Sequence, residues 1–294
     1  MIELNQLSKG YVKDEKVLNG VSLTIPDGCV FGLVGINGAG KSTLLRLISG
    51  VLRADRGQVC VDGENVYENE RVKRDIFFLP DDPYYTSNLT AKGLADTYRS
   101  VYNFDEKAYY RYLETFKLNP KKPIRNFSKG MKRQVFVALA FAIKPKYLLL
   151  DEAFDGLDPL ARLVLKKELV SLVKEKGTTV IISSHSLREL EDVCDGYGIL
   201  DKGEILSVNK QDTAQTSGVW KFQFAINRLV AEEEIGVDCL SFSQVGKVVR
   251  LTARGGKEEI LQKLQALEPI FVEEIQTDFE ERFIDEVQTR GYLI

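Results

Sequence analysis

One segment, Gly35 to Ser42, limits the folds open to this chain more than any other. Its sequence, GINGAGKS, matches the pattern G-x-x-x-x-G-K-[ST] in full. An apolar run at Val30–Val34 precedes it and predicts a buried strand, and the apolar residues that follow, Leu44 and Leu47, have helical spacing. A strand, a glycine-rich turn and a helix in this order surround an anion with backbone N–H groups. We therefore expect the loop to bind the phosphates of a nucleoside triphosphate.

Individual residues of this loop have expected roles. Lys41 would reach the β- and γ-phosphates, and the Ser42 hydroxyl would hold Mg²⁺. A glycine-rich turn that matches by chance is the alternative, and the flanking strand and helix argue against it. The other loop residues predicted to bind the nucleotide are Gly35, Asn37, Gly38, Ala39, Gly40 and Thr43.

The composition favours a globular protein of a reducing compartment. The 294 residues are 44% apolar, and no apolar run reaches the length of about 18 residues that a membrane span needs. The first residues lack the charged-then-apolar pattern of a signal peptide. The four cysteines have no paired spacing, which argues against a zinc site or a disulfide framework. A net charge of −3 provides no overall basic surface, so we expect no nucleic-acid partner.

Strand and helix patterns alternate through residues 1–212, which predicts an α/β domain with a largely parallel sheet. A polar helical stretch at about 82–130 interrupts the alternation and predicts an inserted helical subdomain rich in tyrosine. After a polar linker, residues 213–294 predict a small α+β domain that ends in a helix at Asp278–Thr289. Strands of the first domain are predicted at Ile2–Leu7, Val21–Ile25, Val30–Val34, Gln58–Val61, Tyr147–Leu150, Thr179–Ser183 and Gly198–Leu200. Its helices are predicted at Ser42–Ser49, Lys129–Ile143, Pro159–Lys176 and Leu187–Cys194.

A second signal is the apolar strand Tyr147–Leu150, which runs directly into two carboxylates. Two adjacent carboxylates at the end of a buried strand are costly unless a cation lies beside them. Asp151 could bind Mg²⁺, directly or through water, and Glu152 could polarise an attacking water. A solvated acidic pair at the start of a loop is the alternative, and the phosphate loop elsewhere in the chain makes it less probable than a site.

A third signal is the segment Asn126–Met131, which lies just before a long predicted helix. Ser128 is a suitable N-cap, and the helix N-terminus behind it could receive a second anion. An ordinary capped helix is the alternative; it explains Ser128 but gives Gly130 no purpose.

Taken in order, these motifs resemble those of the ATP-binding subunit of an ABC transporter, and the resemblance covers about residues 1–210. It implies a P-loop NTPase fold, ATP and Mg²⁺ as cofactors, and ATP hydrolysis. It also implies that Ser128 and Gly130 serve the nucleotide of a partner subunit, so that two chains docked head to tail form each site. The segment Phe154–Asp158 matches the loop of this family that crosses the subunit interface.

Two further roles follow from the resemblance. His185, the one histidine of the chain, comes just after the predicted strand Thr179–Ser183, where the family has its switch histidine. There it would contact the γ-phosphate and act with Glu152 and Lys41 in catalysis; outside this motif order, a lone histidine is usually a surface or satisfied core residue. Tyr11 falls where the family stacks an aromatic ring on adenine, although it could simply line a strand edge.

Three residues depart from the family pattern. Lys129 and Met131 stand where the family usually has glycine and glutamine, and a cation is compatible with a nearby γ-phosphate. Asp81 stands where a glutamine usually contacts Mg²⁺ and couples to the membrane subunit. A carboxylate can also bind Mg²⁺, so Asp81 is predicted as a metal ligand with Ser42 and Asp151. We expect ATP turnover to survive these changes, with an altered rate and regulation.

The resemblance further implies a subunit that energises a separate membrane permease, an exporter of peptides, antibiotics or lipids, through ATP-driven closure of a homodimer or heterodimer. Such a subunit would be cytoplasmic and held at the inner face of the membrane by the permease, with the tyrosines between Tyr84 and Tyr112 as the docking surface. Ordinary packing within the subdomain is the alternative for these tyrosines, and some of them must pack in this way. A soluble mechanoenzyme of the same superfamily, acting on ribosomes or DNA, is the alternative; the single ATPase unit and the lack of a long heptad run argue against it. A non-hydrolysing nucleotide sensor is a third possibility, which Glu152 and His185 disfavour. The C-terminal domain suggests no chemistry of its own.

Overall fold

A computed structural model describes residues 1–12, 15–209 and 218–275 of the protein. Two compact units divide the chain, Met1–Asn209 and Lys210–Ile294. Among the described helices, none combines the length and the apolar character needed to cross a bilayer. The strands of the first unit are β1 Ile2–Val12, β2 Glu15–Ile25, β3 Val30–Val34, β4 Arg56–Val61, β5 Glu64–Asn65, β6 Ile76–Leu79, β7 Tyr147–Leu150, β8 Thr179–Ser184, β9 Gly196–Asp201 and β10 Glu204–Asn209. Its helices are α1 Lys41–Ile48, α2 Glu70–Lys73, α3 Ala91–Arg99, α4 Glu106–Thr115, α5 Lys129–Ile143, α6 Pro159–Lys176 and α7 Leu187–Leu190.

The central sheet of the first unit has six strands in the order β10-β9-β3-β8-β7-β6. Its neighbouring strands are parallel except for β9 and β10, which are antiparallel. Strands β3, β7 and β8 are buried along their whole length, as expected for continuous apolar runs inside a parallel sheet. Their carboxyl ends lie side by side, and the segments that follow them begin at Gly35, Asp151 and His185. This edge is where an open α/β sheet usually binds its ligand.

A second sheet of the first unit is antiparallel, with the order β2-β1-β4-β5. Its apolar face shares one buried cluster with α1 and the central sheet; Leu4, Leu45 and Leu149 of these three elements are each at most 1% exposed. Because four apolar residues of α1 belong to this cluster, the core fixes the helix directly behind the phosphate loop. The core therefore sets the geometry of the loop before any ligand binds.

Helices α5 and α6 have the predicted boundaries. Helix α6 begins after Asp158, whose side chain accepts a hydrogen bond from the Ala161 N–H at 2.9 Å, and it ends at Gly177 in the left-handed conformation, with φ of 66°. Helix α7 ends at Leu190, earlier than the predicted Cys194. Strands β5, β6 and β10 are present in addition to the strands predicted from the sequence.

The helical subdomain contains α3, α4 and the beginning of α5, and two of the seven tyrosines between Tyr84 and Tyr112 are buried. Tyr109 and Tyr112 are buried, while the rings of Tyr98 and Tyr102 stack on each other with centroids 6.0 Å apart. Tyr84 is 92% exposed. Tyr109 and Tyr112 therefore pack within the subdomain and cannot form a docking surface, whereas a docking role for the other tyrosines stays a prediction. The physical reason is that short amphipathic helices bury large aromatic rings to form a core.

The second unit has an antiparallel sheet in the order β12-β13-β11-β14. Buried residues of this sheet, such as Phe222 and Leu251, pack with Ile260 and Leu264 of one helix. The predicted terminal helix, Asp278–Thr289, lies outside the described residues. The strands are β11 Val219–Ala225, β12 Asp238–Val245, β13 Val248–Arg254 and β14 Phe271–Ile275, and the helices are α8 Glu232–Ile235 and α9 Lys257–Gln265.

Candidate nucleotide-binding site

The phosphate loop connects β3 to α1 and needs its glycines for two reasons. Gly38 and Gly40 have φ of 85° and 105°, a backbone conformation that side chains disfavour. Gly35 faces the carbonyl oxygen of Leu200, and a Cβ at this position would fall 2.5 Å from that oxygen. The loop therefore turns tightly into the first turn of α1, where free backbone N–H groups and the helix dipole attract an anion.

Lys41 is the first residue of α1 and is 5% exposed. Its Nζ donates to the Gly35 carbonyl at 2.7 Å and to the Ile36 carbonyl at 3.3 Å, and it lies 3.2 Å from Glu152 Oε1. The ammonium group is thus held against the phosphate loop, where it is predicted to bind the phosphates of ATP. Ser42 is half-buried next to it in the same helical turn.

Asp151 follows the last residue of β7 and is 1% exposed. One carboxylate oxygen, Oδ1, accepts a hydrogen bond from Ser183 Oγ at 2.7 Å. The other oxygen, Oδ2, is buried and has no hydrogen-bond partner among the described residues. A buried carboxylate oxygen without a partner is energetically unfavourable in a chain alone, and it fits a site for a cation or its water. The residues present therefore suit the predicted Mg²⁺.

Glu152 has a left-handed backbone, with φ of 49°. Its Oε2 lies 2.9 Å from His185 Nδ1 and accepts the His185 backbone N–H at 3.3 Å, while its own N–H donates to Ser183 Oγ at 2.9 Å. With the Lys41 contact at Oε1, the structure joins the three predicted catalytic residues in one network.

Tyr11 near the end of β1 also reaches α1. Its hydroxyl lies 3.2 Å from Thr43 Oγ1, and 57% of the residue is exposed. The contact fixes one end of the ring near the phosphate loop and leaves its surface open. Stacking on an adenine stays a prediction for this residue.

The segment at the start of α5 packs against the loop that follows Glu152. Ser128 caps the helix, and its Oγ accepts from the Met131 N–H at 3.2 Å. A Cβ on Gly130 would overlap the Gly156 carbonyl oxygen, so this position requires glycine. The close approach of Gly156 therefore explains why glycine stands at position 130, which helix capping alone does not explain.

Lys129 and Asp155 form an ion pair between the same two segments, with Nζ 2.5 Å from Oδ2. The hydrogen bond from Lys129 lowers the pKa of the Asp155 carboxyl, and the bond to Asp155 raises the pKa of Lys129. Lys129, which stands where the family usually has glycine, thus binds an acidic residue of its own chain.

Asp81 lies in the loop after β6, and its carboxylate forms an ion pair with Arg133 of α5. Arg133 is 4% exposed and also donates from Nη1 to the backbone carbonyl of Asp151 at 3.4 Å. The predicted role of Asp81 as a Mg²⁺ ligand stays a prediction. The contact with the Asp151 carbonyl connects this second network to the first.

Two residues of the site, Ser183 and Arg133, were missed by sequence reasoning. Ser183 is fully buried in β8, and a polar residue inside the apolar run of a buried strand is a signal that could have identified it. Arg133 had a comparable signal, because a charged residue stands among the apolar positions of the helix α5.

In the parallel part of the central sheet, the phosphate loop follows β3 and the acidic pair follows β7, two strands away. This arrangement defines a P-loop NTPase. Residues 18–155 match the family model described as ABC transporter. The ABC transporter ATP-binding protein YtrB of Bacillus subtilis is 34% identical over 290 residues, covering 97% of this chain and 97% of that protein. The lantibiotic transport ATP-binding protein SrtF of Streptococcus pyogenes is 32% identical, covering 73% of this chain and 93% of that protein.

Solved structures agree with these sequence relatives. One described as the structure of an ATP binding subunit of an ABC transporter has a TM-score of 0.66 and 30% identity, and covers 73% of this chain and 92% of that chain. The chain belongs to the ATP-binding proteins of the ABC transporter family and is an ATPase of that family. The comparisons confirm the family and the α/β P-loop fold predicted from the sequence.

Proposed function

We propose that this ATPase energises a separate membrane permease that exports its substrate. The shared ATP-binding domain and the lantibiotic transport that the name of SrtF states support a role in transport, and export is the direction that we propose. The single observation that carries the ATPase part is the contact of Glu152 with both Lys41 and His185. It combines a phosphate-loop cation with a carboxylate in position to act on water.

The roles of the site residues follow from what phosphoryl transfer requires. The reaction needs positioning and charge stabilisation more than covalent chemistry. Glu152 is the proposed general base that orients and deprotonates water, held by His185 at Oε2. Lys41 would bind the β- and γ-phosphates of ATP. Mg²⁺, held by Ser42 and Asp151, would neutralise charge on the phosphates.

The ATP site is proposed to be completed by a second chain. Ser128 caps the 15-residue helix α5, whose N-terminus would attract the γ-phosphate bound to the partner. The close approach of Gly130 to Gly156 places this helix end against the loop Phe154–Asp158, which would cross the interface. Either two identical chains or two related chains could form such a dimer. Hydrolysis would remove the group that bridges them.

The permease would hold the protein at the cytoplasmic face of the membrane. Tyr84, in the loop after β6, is the exposed tyrosine that could contact it. We propose this loop, rather than the buried tyrosines of α4, as part of the docking surface. The alternative of a soluble mechanoenzyme acting on ribosomes or DNA finds no support in the relatives named above.

Affinity purification from detergent-solubilised native membranes tests the proposal. The bait is a tagged Glu152→Gln protein, which should bind ATP without hydrolysing it and so hold its partners. A matched bait with the added change Lys41→Ala should not bind ATP and provides the control. Co-purification of a multi-span membrane protein with the first bait supports the proposal. Recovery of soluble or ribosomal partners alone would contradict it.

A further inference from the structure

Arg133 is a buried cation between the two networks of the site. Its side chain is 3% exposed and lies in the second turn of α5. Nη2 pairs with the Asp81 carboxylate, while Nη1 donates to the carbonyl oxygens of Pro80 at 3.2 Å and Asp151 at 3.4 Å. A buried guanidinium is strongly unfavourable without an anionic partner, so Asp81 stabilises this placement.

Hydrogen bonds hold Asp151 at three of its atoms, which are the backbone nitrogen, the carbonyl oxygen and Oδ1. Its N–H donates to the Leu79 carbonyl at 2.9 Å, and its Oδ1 accepts from Ser183 at 2.7 Å. Its carbonyl oxygen accepts from Arg133. These bonds orient the residue so that Oδ2 stays free of partners within the described part of the chain. Arg133 is thus one of the restraints that aim Oδ2 at the predicted metal position.

Arg133 also belongs to the helix that begins at Ser128. Because a helix moves as a rigid unit over so short a distance, a shift of its N-terminus moves the guanidinium that holds Asp151. We propose that Arg133 is a positioning residue that couples Ser128 to Asp151, and that Asp81 holds Arg133 in place instead of binding Mg²⁺. The inference rests on the proposed roles of Ser128 and Asp151 in ATP hydrolysis.

The two roles of Asp81 compete with each other on electrostatic grounds. A carboxylate that turned toward Mg²⁺ would leave the buried guanidinium with neutral carbonyl acceptors. A carboxylate that stays on Arg133 has its negative charge already neutralised and is a weaker metal ligand. The observed ion pair corresponds to the second case.

Four variants test the proposal: Asp81→Asn, Arg133→Gln, the double variant, and Asp82→Asn as a control on an adjacent exposed carboxylate. For each, we would measure the Mg²⁺ concentration that half-saturates binding of a fluorescent ATP analogue, the kcat for ATP, and the Tm. We expect Asp81→Asn and Arg133→Gln each to lower kcat about tenfold to a hundredfold, as misplaced catalytic groups do. Because Asp81 acts on Asp151 through Arg133, the half-saturating Mg²⁺ concentration should rise no more in Asp81→Asn than in Arg133→Gln, whereas loss of a direct ligand would raise it more in Asp81→Asn.

The double variant should be no slower than the slower single variant, because both changes remove the same interaction. A half-saturating Mg²⁺ concentration that is tenfold or more higher in Asp81→Asn than in Arg133→Gln, with Asp82→Asn at the wild-type value, would overturn the proposal. Additive losses of kcat would overturn it as well. If Arg133→Gln does not fold, Arg133→Lys takes its place in the double-variant cycle and in the Mg²⁺ comparison with Asp81→Asn. If the wild-type protein binds the analogue but hydrolyses no ATP, the proposed function is contradicted. The Mg²⁺ titration can still be interpreted in that case, because it measures binding alone.

Discussion

Glu152 Oε2 lies 2.9 Å from His185 Nδ1, and the His185 backbone N–H donates to the same oxygen at 3.3 Å. The other carboxylate oxygen lies 3.2 Å from Lys41 Nζ. Both ends of the carboxylate are therefore held, one by the phosphate loop and one by the segment after β8. A base fixed in this way needs little reorganisation when ATP and water enter, which is the condition for efficient general-base catalysis.

Replacing Glu152 with glutamine keeps the shape of the side chain and removes its ability to accept a proton. We expect kcat for ATP to fall about a hundredfold or more, in the range that a general base contributes, while ATP binding is retained. Steady-state ATP hydrolysis and equilibrium binding of a fluorescent ATP analogue measure the two quantities. The control is Glu175→Gln, an exposed carboxylate of α6 that should leave both unchanged. Retention of most of the wild-type kcat in Glu152→Gln would exclude Glu152 as the base.

The Ser183 hydroxyl connects the two acidic residues, since it donates to Asp151 Oδ1 and accepts from the Glu152 N–H. The change Ser183→Ala leaves both groups without this partner in a fully buried position. We expect a loss of about 1–3 kcal/mol in the free energy of unfolding of the first unit, and a lower kcat because Asp151 and Glu152 lose a shared restraint. Urea unfolding followed by fluorescence and an ATPase assay measure these effects. Ser87→Ala, at an exposed position, is the control; equal stability of the two variants would show that the hydroxyl bonds contribute nothing.

The main features of the site were predictable because they depend on local sequence. The phosphate loop needs glycines at fixed spacing, and the strand β7 ends in its acidic pair, so both are visible in a window of a few residues. Strand β6 was missed, because four apolar residues followed by a proline are too short to distinguish from a loop. Its partner β7 comes from far along the chain, and pairing at that distance leaves no local signal.

The Asp81–Arg133 pair and the burial of the tyrosines also depend on tertiary contacts, so the local sequence did not predict them. Asp81 is paired with a residue 52 positions further on, and only the packing of α5 beside β6 brings them together. Tyr109 and Tyr112 lie in a polar stretch whose composition is typical of a surface, yet their spacing of three residues places both on the buried side of α4. Tertiary packing decides which polar aromatic residues are covered.

Gly130 is the position where a small change should have a large effect. A methyl group there would overlap the Gly156 carbonyl oxygen, which is backbone and cannot rotate away. We expect Gly130→Ala to destabilise the first unit by about 1–3 kcal/mol, as overpacking does, and to lower kcat by displacing the loop Phe154–Asp158. The control is Gly256→Ala, where the added Cβ would lie 3.9 Å from Glu259 Cβ. Thermal unfolding and ATPase activity equal to wild type in Gly130→Ala would contradict the close approach.

The Lys129–Asp155 pair predicts a specific dependence on pH. The hydrogen bond from Lys129 lowers the pKa of Asp155, so its contribution to stability is present above the unfolded carboxyl value of about 3.9 and is lost as the pH falls through the folded value. The pKa of Lys129 is raised, so its contribution is complete below the unfolded value of about 10.4 and is lost as the pH rises through the folded value.

Carbon-13 NMR titration of the aspartate carboxyls should therefore show a higher pKa for Asp155 in Lys129→Gln than in the wild type. The shift should be partial, because Arg133 and His185 also lower this pKa and remain in the variant. Lys132→Gln removes a neighbouring cation of the same helix that contacts the Tyr85 ring instead, and it should leave Asp155 unchanged. The stability of Lys129→Gln at neutral pH should differ from wild type by less than about 1 kcal/mol, since both side chains are more than a third exposed and solvent screens the pair. An Asp155 pKa that is the same in Lys129→Gln and the wild type would show that the ion pair does not persist in solution, and the contact between the start of α5 and the loop after Glu152 would then depend on Gly130 and Gly156.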